Sequence, residues 1–135
     1  MELLSSSSRL VRVGLAIVVM VALAACADDS SSTVSVSGYV HAGPMCPAET
    51  IPFDPACDDR PVENAVILIR NSAGVVVAEP RSGADGNFVV ELTPGSYTFI
   101  PQPVESLMGT APEQEVVVGT TTVTGLDFAY DTGIR

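Results

Sequence analysis

Asp85-Gly86-Asn87-Phe88-Val89-Val90-Glu91-Leu92-Thr93-Pro94-Gly95-Ser96-Tyr97-Thr98-Phe99-Ile100 is the stretch that decides the fold. Phe88, Val90 and Leu92 alternate with Asn87, Val89 and Glu91, the two-residue period of a strand with one buried face. Asp85-Gly86 ahead of this run is a hairpin signal. Thr93-Pro94-Gly95-Ser96 after it predicts a type II turn, with proline presetting φ at the second position and glycine accepting a positive φ at the third. The chain then returns as a second strand, Tyr97 to Ile100.

The same pattern extends in both directions. Upstream, Val34, Val36 and Val40 share one face and Thr33, Ser35, Tyr39 and His41 the other, as a half-buried strand requires. Val66 to Ile69 is a continuous apolar run that suits a central strand, and Val75 to Ala78 follows the turn residues Asn71 to Gly74. Downstream, Glu115 to Val118 and Thr121 to Tyr130 are expected to pair across Gly119-Thr120. In the last run the apolar phase moves from Val123 to Leu126, Phe128 and Tyr130, which marks Gly125 as a bulge. No window beyond residue 32 places apolar residues at helical spacing. About seven short strands in one small domain predict an all-β Greek-key β-sandwich.

Four of these motifs carry a resemblance: Gly38-Tyr39-Val40, Pro61-Val62-Glu63-Asn64-Ala65-Val66, Asp85-Gly86-Asn87-Phe88 and Leu92-Thr93-Pro94-Gly95-Ser96-Tyr97. Together they look like the carboxypeptidase regulatory-like domains of the transthyretin-like (prealbumin-like) sandwich, over Ser35 to about Tyr130. The resemblance implies a non-catalytic accessory module of the kind placed beside enzymes or on cell surfaces. It breaks at a cysteine-bracketed insertion between the first two strands. Fold alone does not name an activity. Some transthyretin-like proteins are hydroxyisourate hydrolases with several histidines and a terminal Tyr-Arg-Gly-Ser. This chain has one histidine and ends Tyr130-Asp131-Thr132-Gly133-Ile134-Arg135, against that activity. Related pilin-type sandwiches weld strands with lysine–asparagine isopeptide bonds, and a chain without lysine cannot make that crosslink.

The amino terminus gives an address. Arg9 and Arg12 precede an uncharged run from Val13 to Ala25, the basic and apolar regions of a secretory signal, too short for the roughly twenty residues of a membrane-spanning helix. Leu23-Ala24-Ala25-Cys26 matches a bacterial lipobox. Residues 1–25 are therefore expected to be a cleaved lipoprotein signal peptide and Cys26 the lipidated first residue of the mature chain, its acyl chains (palmitate among them) giving stable membrane attachment. An ordinary secretory signal is the alternative. Residues 26–32 are acidic and serine-rich, expected to be a flexible tether, and residues 33–135 form the sandwich domain. The protein is placed outside the cytoplasm, anchored at the cell envelope.

With Cys26 acylated, Cys46 and Cys57 remain as a pair in an oxidising compartment, and a disulfide between them is expected; two free thiols are the alternative. Removing the signal leaves 4 arginines against 15 acidic residues, a net charge of about −11. Such a surface repels phosphate backbones and anionic headgroups, so nucleic acid is excluded as a partner and attachment to the membrane is through the lipid anchor.

Candidate chemistry is sparse. His41 is the single histidine, so no multi-histidine zinc site can be built, and a lone strand histidine is usually structural. Ala42 to Arg60 is a long loop stiffened by Pro44, Pro47, Pro52 and Pro55, and loops of this length without periodicity tend to be functional. It carries Glu49, Asp54, Asp58 and Asp59. Of these, Asp54, Asp58 and Asp59 are the candidate ligands for one calcium ion, although the spacing matches no EF-hand; a solvated acidic face is the alternative. Leu107 and Met108, among turn residues, form either an apolar contact patch or a cap on the sandwich. The function expected is a non-catalytic, lipid-anchored module that binds an envelope protein or glycan, or supports the envelope, with no cofactor. A calcium-dependent carbohydrate binder or an acid-residue hydrolase using the loop carboxylates is the alternative.

Overall fold

Residues 31–135 are described by a computed structural model; the expected signal peptide, Cys26 and most of the expected tether lie outside the described residues. The period-two runs become eight strands in two sheets: β1 Val34–Gly43, β2 Arg60–Pro61, β3 Ile67–Asn71, β4 Val76–Ala78, β5 Asn87–Leu92, β6 Gly95–Pro101, β7 Gln114–Val118 and β8 Val123–Asp131. Among the described residues helix is confined to one 3-10 turn, Pro55–Cys57. The eighth strand, absent from the sequence expectation, is the two-residue β2.

In the first sheet β1 is the central strand. β5 runs antiparallel to it along Val34–Tyr39 and β2 along His41 and Ala42, while β8 runs parallel along the other edge. The second sheet has the order β4-β3-β6-β7, all antiparallel. The apolar run at Ile67–Ile69 is indeed flanked on both sides, by β4 and β6. Asn71 to Gly74 closes the β3–β4 hairpin, with the Asn71 N–H donating to the Val75 carbonyl at 2.9 Å.

Three local expectations are corrected. β7 and β8 do not pair across Gly119-Thr120: β7 joins β6 and β8 crosses to the other sheet to lie beside β1. Thr93-Pro94-Gly95-Ser96 is not a type II turn, because Gly95 keeps a negative φ and begins β6. It is the corner at which the chain changes sheets, and the Tyr97 hydroxyl pins that corner by donating to the Thr93 carbonyl at 2.6 Å. Asp85-Gly86 makes a tight turn, with the Gly86 N–H donating to the Gly83 carbonyl at 2.9 Å, but the turn leads into β5 from β4 of the opposite sheet and so closes no hairpin. The bulge does fall at Gly125: φ is +80°, and three steps along β8 from Val123 to Leu126 match two along β1 from Val36 to Gly38.

Between the sheets, Phe88 and Phe128 from the first face Phe99 from the second, with ring centroids 5.9–6.5 Å apart. Val36, Val40, Ile67, Ile69 and Tyr130 complete the buried centre. Gly38 is dictated by this packing, since a Cβ there would lie 2.6 Å from the Phe88 ring. One buried polar side chain, Ser82, is satisfied by the Ala65 N–H at 2.9 Å and by donating to the Val62 carbonyl.

Candidate functional site

The insertion leaves β1 at Gly43 and re-enters the sheet at β2, so both its ends are fixed to one end of the first sheet. Cys46 and Cys57 are joined by a disulfide, Cα atoms 5.1 Å apart. Inside it Asp54 caps the 3-10 turn, its Oδ1 accepting from the Ala56 N–H at 2.9 Å while its own N–H donates to the Thr50 hydroxyl at 3.1 Å. Aspartate followed by proline at the first position is what such a cap requires. The tail beyond β8 closes the base: the Thr132 N–H donates to the Gly43 carbonyl at 3.0 Å and its hydroxyl to the Pro44 carbonyl.

The clamped loop pushes two large apolar side chains into solvent, Ile51 fully exposed and Phe53 64 % exposed, on either side of Pro52. Beside Phe53 a concavity of about 370 Å³ is lined by Cys46, Glu49, Thr50, Phe53, Asp58 and Asp59. A larger depression, about 530 Å³, lies across the outer face of β3, β6 and β7 around Arg70, Thr98, Ile100 and Glu115. None of the candidate residues lines it, and it holds neither histidine nor cysteine. Two apolar side chains held outward on a clamped loop, Phe53 of them beside an acidic wall, make the smaller feature the better recognition surface.

At the loop's end Asp59 meets the chain's single histidine. His41 Nδ1 lies 2.7 Å from Asp59 Oδ2, and Nε2 lies 3.0 Å from Asp127 Oδ2 on β8. Gly43 makes room for this, since a Cβ there would run into the Asp59 carboxylate. The ring stacks on Tyr39 at 5.3 Å and 11° between planes, and its side chain is 15 % exposed. Burial lowers the imidazole pKa, but hydrogen bonds to Asp127 and Asp59 and the charge of both carboxylates outweigh it, raising the value above 6.5.

The sequence candidates therefore separate. Asp54 is used as a cap, Asp59 is bonded to His41, and Glu49 and Asp58 line the concavity. Among the described residues no three His, Cys, Asp or Glu side chains form a set able to hold a metal ion. Leu107 and Met108 part company: Leu107 packs against the core while Met108 is 79 % exposed beside Gly133, so they form no joint patch. Sequence inspection missed Asp127, which lies 86 residues from His41, and it missed Ile51 and Phe53.

These features define a class: a two-sheet β-sandwich carrying a disulfide-clamped loop at one end of its first sheet. No protein-family model and no curated protein matches the chain. Among solved structures it is similar to the minor pilin of Streptococcus agalactiae, with a TM-score of 0.53 and 12% identity over 73% of this chain and 44% of that one. It is also similar to the major pilin subunit of Bacillus cereus (TM-score 0.55, 15% identity, 73% of this chain and 28% of that one). The shaft pilin of Lactobacillus rhamnosus GG matches at TM-score 0.54 and 9% identity, over 74% of this chain and 50% of that one. The chain thus spans half or less of each pilin, and the likeness is one of fold.

Proposed function

We propose that this protein is a non-catalytic, lipid-anchored module of the bacterial cell envelope that binds another envelope protein through its disulfide loop. The observation that carries the reading is the exposure of Ile51 and Phe53 on a loop fixed by Cys46–Cys57, by prolines and by the Asp54 cap. A preorganised loop loses little entropy on binding, and large apolar side chains at its tip supply the energy of a contact.

The carboxypeptidase regulatory-like resemblance and the pilin-type fold both fit a structural or adhesive module outside the cytoplasm. So does the topology. Lipidation at Cys26 would tether the chain just before Val34, where β1 begins, and the loop starts at Gly43, where β1 ends. Ten residues at about 3.3 Å each put roughly 30 Å between the two, so the loop points away from the anchored pole.

Two experiments test the reading. Cys26→Ser should abolish palmitate incorporation and release the protein from membranes; unchanged labelling and fractionation would refute the anchor. A photo-crosslinker at position 53 in intact envelopes should trap a discrete protein that one at position 117, exposed on β7, does not. Equal trapping from both positions would refute the loop as the binding surface.

A further inference from the structure

We propose that His41, held between Asp59 and Asp127, is a proton-operated latch that fastens the end of the disulfide loop to β8. Three elements meet at this ring: β1 supplies it, the loop supplies Asp59 and β8 supplies Asp127. A neutral imidazole has one N–H and one lone pair, so it donates to only one carboxylate, whereas the imidazolium donates to both. The geometry, with a carboxylate oxygen within 3.0 Å of each nitrogen, is that of the charged ring.

Loss of the proton acts twice. One of the two contacts turns into a lone pair facing a carboxylate, and the cluster of His41, Asp59 and Asp127 goes from a net −1 to −2 in an already acidic region. Besides the ring, this end of the loop is held to the sheet by β2, which is only two residues long and pairs with β1 at His41 and Ala42, and by the Val62 N–H, which donates to the Val40 carbonyl at 3.0 Å. Other titratable and charged groups on the surrounding elements are Tyr39 on β1, Asp58 in the loop, Arg60 on β2, Asp85 in the turn before β5, Glu91 on β5, and Asp131 on β8, which is paired with Arg135. None of them hydrogen-bonds the ring, and Tyr39 only stacks on it.

The sign of the effect follows. A histidine whose folded-state pKa is raised contributes its full stabilisation below about 6.5, the unfolded value, and loses it as pH rises through the folded value. The latch is therefore closed in mildly acidic surroundings and open above the raised pKa. It concerns where the loop sits, and it stands whether or not the loop binds a partner.

Because the chain has a single histidine, its imidazole resonance can be followed by NMR in the intact Cys26→Ser protein without ambiguity. The paired readout is hydrogen-exchange protection, corrected for intrinsic rates, of the Cys57 and Asp58 amides, which bond within the loop to the Asp54 and Pro55 carbonyls. The Val40 amide, bonded to the Gly86 carbonyl in the sheet, is the control. Protection in the loop should fall about two- to fivefold with the same midpoint as the imidazole, while Val40 stays constant. Asp127→Asn should move both midpoints down together. A loop whose protection ignores the imidazole titration, or keeps the same pH profile in His41→Ala with Val40 still protected, would overturn the latch.

Discussion

Phe128→Ala is the perturbation that most severely probes the sandwich. Phe128 is fully buried on β8 and packs at 5.9 Å from Phe88 in its own sheet and 6.4 Å from Phe99 in the opposite one. Truncation removes the transfer energy of the ring, leaves a cavity between the sheets and breaks two aromatic contacts. Large-to-small changes at such sites cost about 3–5 kcal/mol, and the two broken contacts place this one toward the upper half. For a domain of this size that lowers the melting temperature by roughly 15–30 °C. The assay is urea and thermal unfolding of the Cys26→Ser protein followed by circular dichroism, with Val117→Ala on the exposed face of β7 as control, expected within about 0.5 kcal/mol of the parent. An unchanged urea slope with a large fall in midpoint fits the account. A loss below about 1.5 kcal/mol would refute the packing of the two sheets about this ring.

Three further outcomes are expected. Replacing both Cys46 and Cys57 by serine, which opens a crosslink of sequence separation 11, should lower stability by about 3 kcal/mol in chemical denaturation on the chain-entropy account. Tyr97→Phe, which removes the bond to the Thr93 carbonyl at the sheet-changing corner, should cost about 1 kcal/mol in the same assay. Asp131 is held to a pKa of about 2, first by its hydrogen bond to Arg135 and then by the Gly133 N–H, so its stabilising contribution is present above 3.8 and lost as pH falls through about 2. Its carboxylate resonance should titrate there, and Arg135→Ala should bring the midpoint back up.

The strands were legible because each reports its own buried face: Val34, Val36 and Val40 in β1, or Phe88 and Leu92 in β5, mark the inward side without knowledge of a partner. Which strands pair was not legible. Turn chemistry at Asp85-Gly86, Thr93-Pro94-Gly95-Ser96 and Gly119-Thr120 announces a change of direction, yet the same residues serve a hairpin or a crossing between sheets. β8 crosses to β1, where Phe128 and Tyr130 are buried in the shared core, and that packing has no local signal in the sequence.

The site divides in the same way. Cys46–Cys57 follows from counting cysteines, whereas Asp54, expected among the binding carboxylates, is a cap whose overlooked signal was the proline that follows it. The Asp59–His41–Asp127 row was hidden because it depends on the parallel register that sets Tyr39 against Asp127 and His41 against Ala129. Ile51 and Phe53 were overlooked among the loop carboxylates. Two large apolar residues flanking a proline, in a segment without strand or helix period, were the available signal.

Binding through the loop tip is the central claim, and it is tested most directly by affinity capture from native membranes with the parent protein and an Ile51→Ser, Phe53→Ser variant, both confirmed to be folded and membrane-attached. The account predicts a partner enriched by the parent and lost with the variant, and lost likewise when Cys46 and Cys57 are replaced by serine. Capture of the same partner in equal amount by all three proteins would contradict it.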